Sequence, residues 1–334
     1  MITPADFLHL PFTPDLTEGG IAYATRSLPH TYDRMGGSSF NRLRRIVAGV
    51  AVELALRRHL SGSGIPFDVK GATPFTEPDR YDVALGGHRC DVKSFLISNR
   101  AQIASLRAHP ELLLNAPAMV PLDQHTADGH RDDDLYLFAF LTGLVAASRA
   151  DLRKALEAGQ PVFLLHPLPK AWSRPAKWVS LAPVTLKSET GPKLNIEIGG
   201  QAESREFVTL RVELPAGMRV QVDKAFHALA YLHIDRQPGG RIGLHSPLMS
   251  DTHLITPFEW GNIWVYGMEI ILTGYLPYDE FQRLSRPIHP GSRVFQYRRT
   301  RTRNMAVPVA ELKPLGALFE KVQAWEAAQK RGSG

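Results

Sequence analysis

The sequence predicts an α+β protein: a mixed sheet flanked by helices, followed by a second, mostly antiparallel β domain. Three observations carry that expectation. Leu43, Ile46, Val47, Val50, Leu54 and Leu60 recur at helical spacing. Two short β-like runs flank Gly86-Gly87, the signature of a tight hairpin. From about residue 190 helical periodicity fades, and short β-rich runs alternate with Gly and Pro. The expected boundaries are a first domain over 1–185 and a β-rich domain over 190–334 that ends in a helix.

Taken in order, residues 1–37 read as irregular, because Pro4, Pro11, Pro14, Pro29 and Gly36-Gly37 interrupt them. A helix is expected over Phe40–Leu60, stopped by Ser61-Gly62-Ser63-Gly64. Strands near 67–70, 80–85 and 89–96 follow, then a helix over Ser98–Leu114 with Pro110 near its end. Residues 115–134 form a polar loop. Leu135–Leu141 is almost wholly apolar, as a central strand buried on both faces would be. A short helix over Asp151–Ala158 and an apolar strand over Pro161–Leu165 complete the first domain. In the second, strands are expected at Phe207–Leu214, Ala228–Ile234, Arg241–Leu244 and Ile263–Leu272, with a helix over Leu312–Lys330.

The totals narrow the function classes. The chain has 334 residues, 44% hydrophobic and 22% charged, an ordinary globular balance. No apolar run approaches the length of a membrane helix. The N-terminus lacks a basic region followed by an apolar core, so the expected compartment is the cytoplasm. Cys90 is the sole cysteine, which excludes an internal disulfide and a Cys-based zinc site. A net charge of +6 and a pI near 9.4 permit a polyanionic partner without requiring one.

The hairpin carries the sharpest chemistry. A two-residue Gly86-Gly87 turn sets Leu85 opposite His88, Ala84 opposite Arg89, Val83 opposite Cys90 and Asp82 opposite Asp91. Opposed residues share a face, with Cβ atoms about 4.5–5.5 Å apart, and like charges so placed destabilise a sheet. Lys93 shares the face of Asp91. Two carboxylates beside one ammonium invite a divalent cation. Upstream, Glu53 falls in the apolar stripe of its helix, where it either pairs with Arg57 at i, i+4 or supplies a third acid to the hairpin.

At Glu53, Asp82, Asp91 and Lys93 the sequence resembles the PD-(D/E)xK nuclease superfamily, also called restriction-endonuclease-like. The resemblance covers roughly residues 40–170. It implies a mixed sheet whose elements run helix, three strands, helix, strand. It also implies Mg²⁺- or Mn²⁺-dependent phosphodiester hydrolysis, with Asp82, Asp91 and the carbonyl of Val92 as metal ligands. Lys93 would orient the attacking water, and Glu53 would hold a second ion or reach the first through water. The sequence departs from the family in having Tyr81 before Asp82. It also lacks a Gln-x-x-x-Tyr signature, since Leu106 follows Gln102 at that spacing, which turns the expectation toward an endonuclease.

Elsewhere, Phe281–Ala310 holds seven arginines and no acid. Arg299, Arg301 and Arg303 share one face of an extended strand and read either as a stripe suited to a phosphate backbone or as a solvated edge strand, with Arg298 a further nucleic-acid contact. Asn99 and Arg100 open a helix and are further phosphate candidates. His125, His130 and Asp132–Asp134 read as a solvated loop, His245, His253 and Asp251 as structural, and Trp264 as core. The expected partner is nucleic acid, DNA before RNA, with no membrane, and with a homodimer or a partner protein in a defence or repair system as further options. The competing classes are a non-catalytic nucleic-acid-binding or assembly protein on a nuclease-like fold, and a nuclease gated by a small molecule.

Overall fold

The structure is a computed structural model that describes residues 2–31, 39–69, 81–144, 150, 153–154, 157–158, 164–262 and 265–332. In chain order, β1 (Leu8–Leu10) leads into helices α1 (Pro14–Thr31) and α2 (Ser39–Gly62). The hairpin β2 (Val83–Leu85) and β3 (His88–Ile97) precedes α3 (Arg100–Ala108), β4 (Pro117–Pro121), α4 (Leu122–His125) and β5 (Leu135–Leu144). Then come β6 (Leu164–Pro167), α5 (Lys170–Ser173), β7 (Val184–Ser188), β8 (Leu194–Gln201) and β9 (Phe207–Leu214). Five strands follow: β10 (Arg219–Val222), β11 (Ala228–Ile234), β12 (Ile242–His245), β13 (His253–Ile255) and β14 (Gly261–Asn262). The chain closes with β15 (Val265–Pro277), α6 (Tyr278–Leu284), β16 (Arg286–Ile288), β17 (Asn304–Pro308) and α7 (Leu315–Gly332). This is a mixed α/β architecture of the α+β class.

Two compact units form, and their boundary differs from the expected one near 185–190. The first unit joins Met1–Leu16, Ala48–Leu144 and Gly267–Gly334; the second joins Thr17–Val47 and Val145–Tyr266. The physical reason is strand pairing. The long β15 inserts between β1 and β5 in a five-stranded sheet ordered β1-β15-β5-β3-β2. β17 pairs with β4 in a second, three-stranded sheet. Sequence distance hides both pairings.

In the first unit the hairpin forms as the Gly-Gly turn dictates. Gly86 and Gly87 have φ of +57° and +86°, as a type I′ turn requires. The register is Leu85 with His88, Ala84 with Arg89 and Val83 with Cys90. A side chain on Gly86 would also strike the ring of Trp325, its Cβ lying 2.4 Å from Cε3. β3 then runs parallel to β5, with Asp91 beside Tyr136 and Lys93 beside Phe138. Parallel neighbours need a crossover, supplied here through α3 and β4. Leu135–Leu141 is buried throughout, as its unbroken apolar run predicts. On α2, Ala48, Ala51, Val52, Ala55, Leu56 and Leu60 are buried. Pro110 ends α3 early: the residue before a proline disfavours the α region, and a 3-10 segment, Pro110–Asn115, replaces the expected last turn.

Two expectations fail. Residues 14–31, read as irregular, are the helix α1. Pro14 stands at its first position, where no backbone N–H is needed. Gly20 is demanded by packing, since a Cβ there would sit 2.8 Å from the Val47 carbonyl. The strand expected near 67–70 is a single bridge between Asp68 and Ala84. The expected helix at 151–158, the residues 161–163, and Trp264 lie largely or wholly outside the described residues.

The second unit is β-rich, as expected. β14-β6-β11-β8-β9 form one sheet and β10-β7-β12-β13 another. One core takes Ile196, Ile198, Leu232 and Ile234 from the first and Val184, Leu186, Leu244 and Ile255 from the second. The sheets therefore pack face to face. Fully burying each such side chain contributes about 1.5–3 kcal/mol. Among the described residues, no helix is long and apolar enough to cross a membrane.

Candidate active site

The pleat of β3 sends Asp91 and Lys93 to one side and Val92 and Ser94 to the other. On the first side, Lys93 Nζ lies 2.5 Å from Asp91 Oδ2 and donates to Gln124 Oε1 of α4 at 2.7 Å. The Lys93 side chain is 13% exposed, and that of Asp91 36%. The pair is thus shielded on the lysine side and open on the carboxylate side. Tyr136 stands next to it, its ring centroid 5.9 Å from Lys93 Nζ.

Asp82 does not complete a fourth ladder pair. Its N–H bonds the Cys90 carbonyl at 3.1 Å, and its Oδ2 accepts the Val92 N–H at 2.7 Å. The carboxylate thereby replaces a backbone acceptor where the strand ends, and this is how the fold accommodates an acid opposite Asp91. Asp82 is also held from the helix side, where Arg57 donates to its carbonyl at 2.8 Å.

Glu53, expected as a third acid aimed at the hairpin, is 3.6 Å from Arg57, the i, i+4 pairing. α2 meets β3 on the Ser94 side: a Cβ on Gly49, one turn before Glu53, would lie 3.8 Å from Ser94 Oγ. Glu53 is thereby linked through Arg57 to the Asp82 carbonyl. Among the described residues, no three His, Cys, Asp or Glu side chains gather closely enough to hold one ion unaided.

The loop read as solvated is structured and lies against this face. Asp134 is 9% exposed and takes both Nε (2.6 Å) and Nη2 of Arg89. His130 Nε2 donates to the Gln124 carbonyl at 2.8 Å, and its ring stacks on Tyr278 with centroids 4.5 Å apart. The Tyr136 hydroxyl is buried and has no hydrogen-bond partner among the described residues. Burial, then the nearby Asp91 charge, pushes its pKa well above the usual phenol range. Tyr136, Gln124 and His130 were not read as site residues. One signal was present: Tyr136 is the only polar side chain in the run Leu135–Leu141. Cys90 is buried, which pushes its thiol up and leaves it unreactive.

The chain matches no family model, no curated protein and no solved structure.

The arginine segment is not an extended strand. β17 begins only at Asn304, and residues 292–303 wind as turns pinned by Thr300. Thr300 is 5% exposed; its N–H bonds the Ser292 carbonyl at 2.9 Å and its hydroxyl that of His289 at 2.7 Å. Arg298, Arg299, Arg301 and Arg303 are exposed, and their guanidiniums make no hydrogen bond or ion pair with a described residue. The loop is tied to the site from two directions. Leu122, at the start of α4, donates to the Arg303 carbonyl at 3.0 Å, and Gln102 Nε2 of α3 donates to that of Phe295 at 2.5 Å. Asn99 is engaged as the cap of α3, its Oδ1 accepting the Gln102 N–H at 3.0 Å. Arg100 is exposed in the first turn.

Proposed function

We propose that the protein is a metal-dependent phosphodiesterase, a DNA endonuclease of the PD-(D/E)xK, restriction-endonuclease-like class. The observation that carries the reading is the Lys93 ammonium of β3 held between Asp91 and Gln124 of α4, with Asp82 immediately before the adjoining hairpin strand. The antiparallel β2–β3 pair, α3 and the parallel β5 match part of the element order the resemblance implies; the first of its three strands is only a bridge, and β4 and α4 intervene before β5. The donor types fit Mg²⁺ or Mn²⁺: Asp82, Asp91 and the Val92 carbonyl offer hard oxygens, and Mg²⁺ usually takes only one or two carboxylates. When bound, the ion supplies charge stabilisation at the phosphoryl oxygens. Lys93 orients the attacking water, and Gln124 and Asp91 fix the ammonium that does so. Arg57 links Glu53 to the Asp82 carbonyl and so positions Asp82. The unpaired arginines at 298–303, joined to Lys93 through α4, supply contacts to the phosphate backbone. A setting in restriction, phage defence or repair follows from the resemblance.

Unpaired exposed arginines alone would equally serve a protein that binds nucleic acid without cutting it. Supercoiled plasmid incubated with Mg²⁺ or Mn²⁺ separates the two. Wild type is expected to nick or linearise the plasmid, and Lys93→Ala to slow this by about 10²–10⁴-fold. A wild type that cuts neither DNA nor RNA, or a Lys93→Ala variant as fast as wild type, overturns the nuclease reading.

A further inference from the structure

We propose that His166 and His253, in the second unit, form a binding site for a divalent transition-metal ion of the zinc class. The two imidazoles come from different sheets, His166 from β6 and His253 from the edge strand β13. Their Nε2 atoms converge to 3.0 Å. Two nitrogens bound tetrahedrally to zinc at about 2.0–2.1 Å stand about 3.3 Å apart, so a few tenths of an ångström of ring movement admits an ion.

The protonation pattern fits. His166 Nδ1 lies 3.1 Å from the Glu259 carbonyl. A carbonyl only accepts, so Nδ1 carries the proton and Nε2 presents its lone pair to His253. Metal-bound histidines usually have their second nitrogen fixed in this way. In the metal-free protein one N–H···N hydrogen bond joins the pair, and an ion replaces it once His253 moves its proton to Nδ1.

The surroundings supply what an ion bound by two imidazoles still needs. The Glu259 carboxylate, which accepts the Thr256 N–H at 2.6 Å, adds negative charge nearby. Trp260, 3% exposed and 5.8 Å from the His166 ring, has a buried indole N–H without an acceptor among the described residues. A water or small oxygen anion completing the coordination shell would take that hydrogen bond. Imidazole donors favour zinc, copper or nickel over Mg²⁺. The site is therefore chemically distinct from the carboxylate set on the hairpin, and it stands or falls independently of the nuclease reading.

Chelator-stripped protein titrated with Zn²⁺ against a chromogenic competitor tests the site. Wild type and Asp91→Asn are expected to bind one ion per chain, while His166→Gln and His253→Gln lose it. Two-bond ¹H–¹⁵N histidine spectra of wild type with Zn²⁺ provide a readout that no misfolded variant can spoil, and two Nε2 resonances should move to the ligated range. No uptake by wild type, uptake that survives both histidine variants, or unmoved Nε2 resonances overturns the proposal.

Discussion

Glu197 in the second unit and Asp91 in the first are both strand carboxylates beside a cation, yet their surroundings differ. Glu197 is 5% exposed, and the Arg211 guanidinium and Tyr231 hydroxyl each reach it at 3.2 Å. Its lone pairs are served by the fold, and burial still raises its pKa. The Asp91 side chain is 36% exposed, leans on one lysine and neighbours a tyrosine hydroxyl that no described residue satisfies. An enclosed charge with its partners in place serves the fold. An open one beside an unsatisfied donor is the feature on which the proposed nuclease reading rests.

The comparison can be sharpened in three ways, in order of expected effect. Replacing Arg298, Arg299, Arg301 and Arg303 together by Ala should weaken DNA binding strongly and flatten its dependence on log salt by about 0.9 per lost phosphate contact. The side chains are exposed, so the denaturation midpoint should hold. A salt slope identical to wild type would remove the loop from the interface.

The second concerns pH and the satisfied region. Burial depresses His233 from 6.5 to about 3. The unfolded chain then binds a proton that the native state refuses. The stability His233 contributes is complete above about pH 6.5 and is lost as pH falls toward 3, by at most about 1.4 kcal/mol per pH unit. Glu197 has the opposite sign, its raised pKa costing stability as pH rises through it. Urea midpoints between pH 7 and 4 should fall less steeply in His233→Gln; parallel curves would contradict the assignment.

The smallest effect is expected at Tyr136. Tyr136→Phe removes an unpaired buried hydroxyl and should leave stability unchanged or raise it by about 1 kcal/mol. The same change should slow cleavage. A clear loss of stability would show that the hydroxyl has a partner in solution and is part of the fold.

Local chemistry was legible in the sequence; tertiary pairing was not. The Gly86-Gly87 turn fixed the register of β2 and β3 because two adjacent positive-φ positions admit few alternatives. The apolar run of β5 and the stripe of α2 followed from burial periodicity. α1 defies the reading of proline as a break: Pro14 occupies its first position, where no backbone N–H is needed, and Pro29 lies within its last turn. The 267–334 segment joins the first unit through β15 and β17, pairings with no local signature. At the site, Asp91 with Lys93 was readable from strand alternation. Gln124, His130 and Tyr136 were not, since a parallel register and a loop returning onto the sheet brought them there. The pairing of His166 with His253 likewise needed two sheets to be packed.

The most direct test of the contrast crosses Asp91→Asn with Glu197→Ala and measures plasmid cleavage and urea midpoint on each. Asp91→Asn should abolish cleavage with an unchanged midpoint. Glu197→Ala should cleave normally per folded molecule while losing about 1–3 kcal/mol, because the buried Tyr231 hydroxyl and the Arg211 guanidinium lose the carboxylate that accepts from them. Cleavage that survives Asp91→Asn, or an Asp91→Asn variant that loses its activity only by unfolding, would contradict the account.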